Sequence, residues 1–306
     1  MCEKGSLEKE TSYERVSLLA SVRALAVPPG FSKVLFEDDF SQLQEGAAPS
    51  PSKWSTSLGQ SYPGGPSNWG TNEVQWYTEY NMAITNRALR ITPYRDQVGT
   101  WTSSRIESLP RYDFACPPGG KLRIETSIKF GNDALESQMG IWPAFWSMGS
   151  SFRGNYTQWP AAGEIDIAES INGVEKLYVA LHCGWAPGGP CDEYTGLKGI
   201  VPMTRGVFHD FAAEIDRTNP GGNYRGETLS WYMNGQLVKR LTGEWFDEWV
   251  WTAITRGPKF LILNVAVGGD FADNAENPER VRTPTASTKG GLGAAMDVKY
   301  VGVYST

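Results

Sequence analysis

The chain has 306 residues, 40% of them apolar and 20% charged, the proportions of a soluble globular protein with a substantial core. A net charge of −6 argues against nucleic acid as partner, and no uninterrupted apolar run reaches the roughly 18 residues of a membrane span. Its 12 Trp, 13 Tyr and 12 Phe stand beside 34 Gly and 19 Pro, a mixture that points to strands, tight turns and aromatic area for a flat ligand.

Residues 1–30 carry mixed charges ahead of an apolar stretch at 17–27, which Arg23 interrupts. The stretch has some signal-peptide character, but a short amphipathic helix or a disordered lead would read the same way. Pro28-Pro29-Gly30 closes it. Residues 1–30 are therefore read as an N-terminal extension and 31–306 as one domain.

From Phe31 onward the pattern is strands and turns, with no long helical period. Asn155-Tyr156-Thr157 is a glycosylation sequon. LYVALH (177–182) sets Leu177, Val179 and Leu181 against Tyr178, Ala180 and His182. Cys183 and Cys191 then bracket a turn-rich loop that a disulfide could close, with two ordinary thiols as the alternative; Cys2 and Cys116 stand alone. FHDFAAEID (208–216) puts His209 on the face of Phe211, Ala213 and Ile215, which predicts a hydrogen-bonded core histidine. LSWYMNGQLV (229–238) reads as a hairpin turning at Asn234-Gly235. KFLILNVAV (259–267) suits a strand covered on both sides, and its Asn264 needs a hydrogen-bond partner, consistent with a structural role in a cleft wall. MDVKYVGVY (296–304) closes the chain. Strands at this spacing predict an all-β sandwich or barrel.

The chemistry concentrates in GEIDIAES (163–170). In a regular strand Glu164 and Asp166 share a face, whereas Glu169, at an odd offset from Glu164, points away. One extra residue, a β-bulge around Ile167-Ala168, returns Glu169 to their side. Mutual repulsion among three carboxylates raises at least one pKa, which suits an acid kept protonated beside an ionised partner. The backbone travels about 13 Å over four strand steps, so both glutamates must lean inward over Asp166. A solvated acidic face and a calcium site are the alternatives; a calcium loop would usually bring backbone and Asn oxygens, and the isoleucine framework favours a rigid strand.

EIDIAE resembles the bulged catalytic motif of glycoside hydrolase family 16, in the form found in laminarinase-like endo-β-1,3-glucanases. FEDDF (36–40), WGTNEVQWYT (69–78), WTSSRIES (101–108), GIWPAFWSMG (140–149), LHCG (181–184) and FLILNVAVGGDF (260–271) follow that family's order. The resemblance implies a β-jelly-roll sandwich of two curved antiparallel sheets with a concave substrate cleft. It implies Glu164 as nucleophile, Glu169 as general acid/base and Asp166 as assisting carboxylate, with retention of configuration.

Positions matching Asn72, Arg105 and Trp142 contact sugar in the family. Trp142 and Trp146 share strand parity and offer platforms for the apolar faces of sugar rings. His182 is read as a hydroxyl-binding donor, and Phe271 replaces the Trp that many relatives carry in GGDF. Glu73 is a surface carboxylate or a support for the site. Relatives that bind calcium on the convex side often carry an Asp where Lys299 stands here, and Asp297 is displaced by two; no metal and no cofactor are expected. The implied partner is a β-glucan, laminarin-type or mixed-linkage, met by a monomer that is secreted or cell-wall associated. The same carboxylates would serve a transglycosylase or a β-1,3-galactan hydrolase. A noncatalytic glucan-binding protein is disfavoured because both glutamates are present.

Overall fold

Alternating apolar residues become strands wherever the sequence marks them, in a computed structural model that describes residues 1, 25–219 and 221–306. Most of the proposed N-terminal extension, residues 2–24, lies outside the described residues, and Cys2 with it. In chain order the strands are β1 (Lys33–Asp38), β2 (Trp54–Ser57), β3 (Trp76–Tyr77), β4 (Met82–Thr85), β5 (Ala88–Ile91), β6 (Tyr94–Arg95), β7 (Trp101–Ser103), β8 (Arg105–Ser108) and β9 (Lys121–Phe130). They continue with β10 (Ile141–Gly149), β11 (Glu164–Glu169), β12 (Lys176–His182), β13 (Gly199–Pro202), β14 (Phe208–Asp216), β15 (Thr228–Met233), β16 (Gln236–Thr242), β17 (Lys259–Val267) and β18 (Met296–Ser305).

Seven strands form one antiparallel sheet in the order β13-β12-β11-β10-β17-β8-β2. The opposing sheet runs β16-β15-β14-β9-β18-β5-β4, with β1 also pairing β18. A small third sheet joins β3, β7 and β6. Phe145, Ile165, Ile167, Leu181 and Leu263 of the first sheet and Ile124, Phe211, Ile215, Val301 and Val303 of the second share one buried core. The architecture is a β-jelly-roll sandwich, and the first sheet turns its other face to the site. Strand β17 is buried along its whole length, as its unbroken apolar run requires. The hairpin turns at Asn234 and Gly235, both at positive φ (51° and 77°), the backbone of a type I′ turn.

His209 differs from the expected core histidine. It is half-buried at the end of β14, where Nε2 lies 2.8 Å from the Thr204 carbonyl and Nδ1 meets Asn234 Nδ2 at 2.9 Å. Strand parity gave its face, but the sheet ends there and the ring bridges to the hairpin.

Two short helices went unread in the sequence, α1 (Glu248–Thr255) and α2 (Asp270–Asn274). Helix α1 buries Val250, Trp251 and Ile254, and the ammonium of buried Lys259 donates to the Ala253 and Gly257 carbonyls at its C-terminal end. Cys183 and Cys191 form a disulfide, while Cys116 is buried and free. Asn155 of the sequon is exposed. Asp297 pairs with Arg90 at 2.6 Å and Lys129 at 2.7 Å, and the Lys299 ammonium lies over the Phe208 ring. With its carboxylate already engaged by two cations, this stretch of β18 does not fit a calcium ion.

Candidate active site

Strand β11 carries the three carboxylates, and its pairing shows how they converge. Against β10, Glu164 lies opposite Met148, Asp166 opposite Trp146 and Glu169 opposite Ala144. All three partners are even-numbered, so all three acids face the side of Trp142 and Trp146. The register slips between Asp166 and Glu169, where Ile167 and Ala168 together face the single residue Val179 of β12. That is the expected bulge. Ile165, Ile167 and Ala168 are fully buried beneath it. The indole of Trp231, itself fully buried on β15 of the opposite sheet, donates to the Asp166 carbonyl at 2.8 Å. A backbone group at an irregular point of the ladder thus finds a partner across the core.

Each glutamate is held by an indole. Trp159 Nε1 donates to Glu164 Oε2 at 2.7 Å, and Trp142 Nε1 donates to Glu169 Oε1 at 2.7 Å. Burial, and then the charge of Asp166, push the Glu164 carboxyl up to about 8. The same two causes hold Glu169 well above the ordinary range. At each glutamate the charge of His182 and an indole hydrogen bond, from Trp159 at Glu164 and from Trp142 at Glu169, oppose the shift.

His182 closes the strand next door, directly opposite Glu164. Its Nε2 lies 3.3 Å from Asp166 Oδ2 and its Nδ1 2.8 Å from Glu193 Oε2. Burial alone would lower its pKa; the contacts to Asp166 and Glu193 reverse that and hold it well above the ordinary histidine range. The donor expected for sugar hydroxyls therefore has both nitrogens turned to carboxylates. Glu164, Asp166 and His182 bring one potential ligand atom each within 4.8 Å of one another.

The wall beside β11 is aromatic. Trp142 and Trp146 are both half-open to the cleft face. Trp146 Nε1 donates to Asn264 Oδ1 at 2.8 Å, Asn264 Nδ2 to the Tyr77 hydroxyl at 3.0 Å, and that hydroxyl to Glu73 Oε2 at 2.9 Å. Glu73 is thus the buried anchor of a relay that fixes Trp146, not a surface carboxylate.

Arg105 is also buried. Its guanidinium carbon sits 4.7 Å from the Trp69 ring, 4.9 Å from Trp146 and 5.2 Å from Tyr62, with Glu107 at 3.5 Å. It holds the wall together from within. Phe271, on α2, packs edge-on against Trp142 at 5.2 Å and Tyr178 at 5.5 Å. Exposed Asn72, at φ 61°, is tied to both oxygens of Asp270 at 3.0 Å. Trp159, Glu193 and Trp231 were missed in the sequence. Only Trp159 left a signal, five residues before Glu164 in a segment broken by Pro and Gly.

A model of the catalytic domain described as XgeA-like, catalytic GH16 domain, matches residues 131–194, the segment that holds β10, β11 and β12. The solved endo-1,3-beta-glucanase from Streptomyces sioyaensis is 39% identical, with 92% of this chain and 99% of that one covered and a TM-score of 0.84. Among curated proteins, glucan endo-1,3-beta-glucosidase A1 of Niallia circulans is 26% identical over 89% of this chain and 37% of its own length. Glucan endo-1,3-beta-glucosidase of Cryptopygus antarcticus is 27% identical over 68% of this chain and 74% of its own. The chain spans little more than a third of the Niallia relative. A jelly roll whose cleft strand gathers carboxylates on one face is an arrangement suited to glycoside hydrolysis. The chain belongs to glycoside hydrolase family 16, in its laminarinase-like branch.

Proposed function

We propose that this chain is a retaining endo-glycosidase that cleaves internal β-1,3 bonds of laminarin-type or mixed-linkage β-glucan, with residues 31–306 as its catalytic unit. The reading is carried by the bulge in β11, which turns Glu169 to the same side as Glu164 and Asp166. Glu164 attacks the anomeric carbon while Glu169 gives its proton to the departing glycosidic oxygen. A glycosyl-enzyme ester forms and the acceptor half of the chain leaves. Glu169, now ionised, takes a proton from water, whose oxygen attacks the anomeric carbon and releases Glu164. Asp166, between the two, orients the nucleophile and adds the charge that keeps Glu169 protonated until it is needed.

Trp142, Trp146 and Phe271 offer apolar faces to the sugar rings, with Asn72 and Arg105 at the same wall. All these groups come from one chain, so a monomer suffices. The Cys183–Cys191 disulfide and the exposed sequon suit a secreted or cell-wall protein. Among the described residues, no helix is long and apolar enough to cross a membrane.

Incubation with laminarin, lichenan and β-1,3-galactan, with products sized over time, tests the reading. Short oligosaccharides from laminarin are expected, and EDTA should leave the rate unchanged. Products longer than the substrate would favour transfer to sugar, degradation of galactan alone would replace the substrate, and binding without turnover would leave a lectin.

A further inference from the structure

Behind His182, on the side away from Asp166, lies a carboxylate that the proposed chemistry does not use. Glu193 sits in the loop after the disulfide, its side chain fully shielded from solvent. One oxygen meets His182 Nδ1 at 2.8 Å and the other accepts the Cys183 backbone N–H at 3.0 Å. Resting on the glycosidase reading above, we propose that Glu193 is a positioning residue that keeps His182 an imidazolium turned toward Asp166, giving the three catalytic-strand carboxylates a built-in counter-charge.

The geometry leaves little choice of protonation. A neutral imidazole has one N–H and one lone pair, so with a carboxylate at each nitrogen one acid would face a lone pair. The imidazolium donates to Glu193 through Nδ1 and sets its charge 3.3 Å from Asp166 Oδ2, a buried oxygen with no hydrogen-bond partner of its own. The charged groups around the ring are Asp166 and Glu164 from β11 and Glu193 from its own loop, with Glu169 farther along the strand. Neutral contact comes from the Trp159 ring at 5.8 Å and from Gly196. A Cβ at Gly196, whose φ is +73°, would stand 2.6 Å from His182 Cε1, so a glycine is required for the ring to lie where it does.

The consequence is electrostatic. The imidazolium opposes the mutual repulsion of the trio and draws Glu164 and Glu169 back toward ionisation. Without the Glu193 charge the ring loses its proton more easily, and Glu164 must then ionise with less help. The acid limb of kcat/KM therefore moves to higher pH.

The test uses the fact that this sequence has only two histidines. Imidazole NMR of the full chain shows two rings, and His209→Gln identifies which is which. In the unaltered protein His182 is expected to remain protonated at pH 7, above the ordinary midpoint of about 6.5. Glu193→Gln should lower its midpoint by about one unit or more, move the acid limb upward and cut kcat about tenfold at a pH between the two midpoints, with a smaller effect on KM. A neutral His182 at pH 7 in the unaltered protein would overturn the proposal. So would an unchanged midpoint in Glu193→Gln, or a shifted midpoint with an unchanged pH profile. The titration of the unaltered protein decides even where the variant fails to fold. It needs no substrate, so it stands apart from whether laminarin is cleaved.

Discussion

Two indole N–H groups at 2.7 Å hold the two glutamates, and the difference between the glutamates comes from what else surrounds them. Hydrogen bonds to charged groups contribute about 1.5–3 kcal/mol, so Trp159→Phe should lower kcat about tenfold or more while KM changes less. Steady-state kinetics on laminarin check this. Glu164→Gln should abolish turnover and leave laminarin binding intact by calorimetry. Its effect on stability has a definite sign. The folded Glu164 carboxyl holds its proton up to about 8 whereas an ordinary one releases it near 4.5. Between those values the native state binds the extra proton, so stability falls as pH rises through the window. Glu164→Gln removes that loss, and its Tm advantage over the unaltered protein should grow from pH 5 to pH 8.

At the level of single side chains the sequence was partly legible. Spacing alone put Glu164 and Asp166 on one face, and parity paired Trp142 with Trp146. It could not show that His182 ends between two acids, because Glu193 lies 11 residues away along a loop whose path only the fold determines. Nor could it bury Glu73, whose partners Tyr77 and Asn264 come from β3 and β17.

At the scale of elements, the bulge decides the site. Offset counting demanded it, since Glu169 five residues from Glu164 would otherwise face the core. What counting could not reveal is how the irregularity is stabilised. Trp231 supports it from the opposite sheet through a single indole hydrogen bond to the Asp166 carbonyl. Trp231→Phe keeps an aromatic ring but leaves that carbonyl without its indole donor, so stability should fall by about 1–3 kcal/mol and kcat should drop with it. Urea unfolding measured beside laminarin turnover checks both parts; lost stability with full kcat would show that the bulge does not need this bond. The strands at 208–216 and 259–267 were readable to the residue because their alternation or unbroken apolar run is long. Helices α1 and α2 were not, because eight and five residues are too few for a helical period to stand out.

For the whole molecule, the sandwich sets what each part can do. One sheet gives its inner face to the core and its other face to the cleft, so the isoleucines of β11 and its acids serve different masters on a single strand. The disulfide closes a small loop at the end of β12, and loop-closure entropy predicts that its removal costs about 2–3 kcal/mol. Cys183→Ser with Cys191→Ser, followed by thermal unfolding, measures that cost.

Strand spacing alone reached a sandwich or barrel, and the family resemblance carried by the ordered motifs implied the jelly roll, whereas cross-sheet contacts such as Trp231 to Asp166 belong to the assembled fold alone. The central claim is that Glu164 and Glu169 act together through a covalent glycosyl-enzyme. Proton NMR of laminarin hydrolysis, recorded before mutarotation equilibrates the new reducing ends, tests it most directly. The β-anomer is expected to appear first; first appearance of the α-anomer would contradict a covalent glycosyl-enzyme.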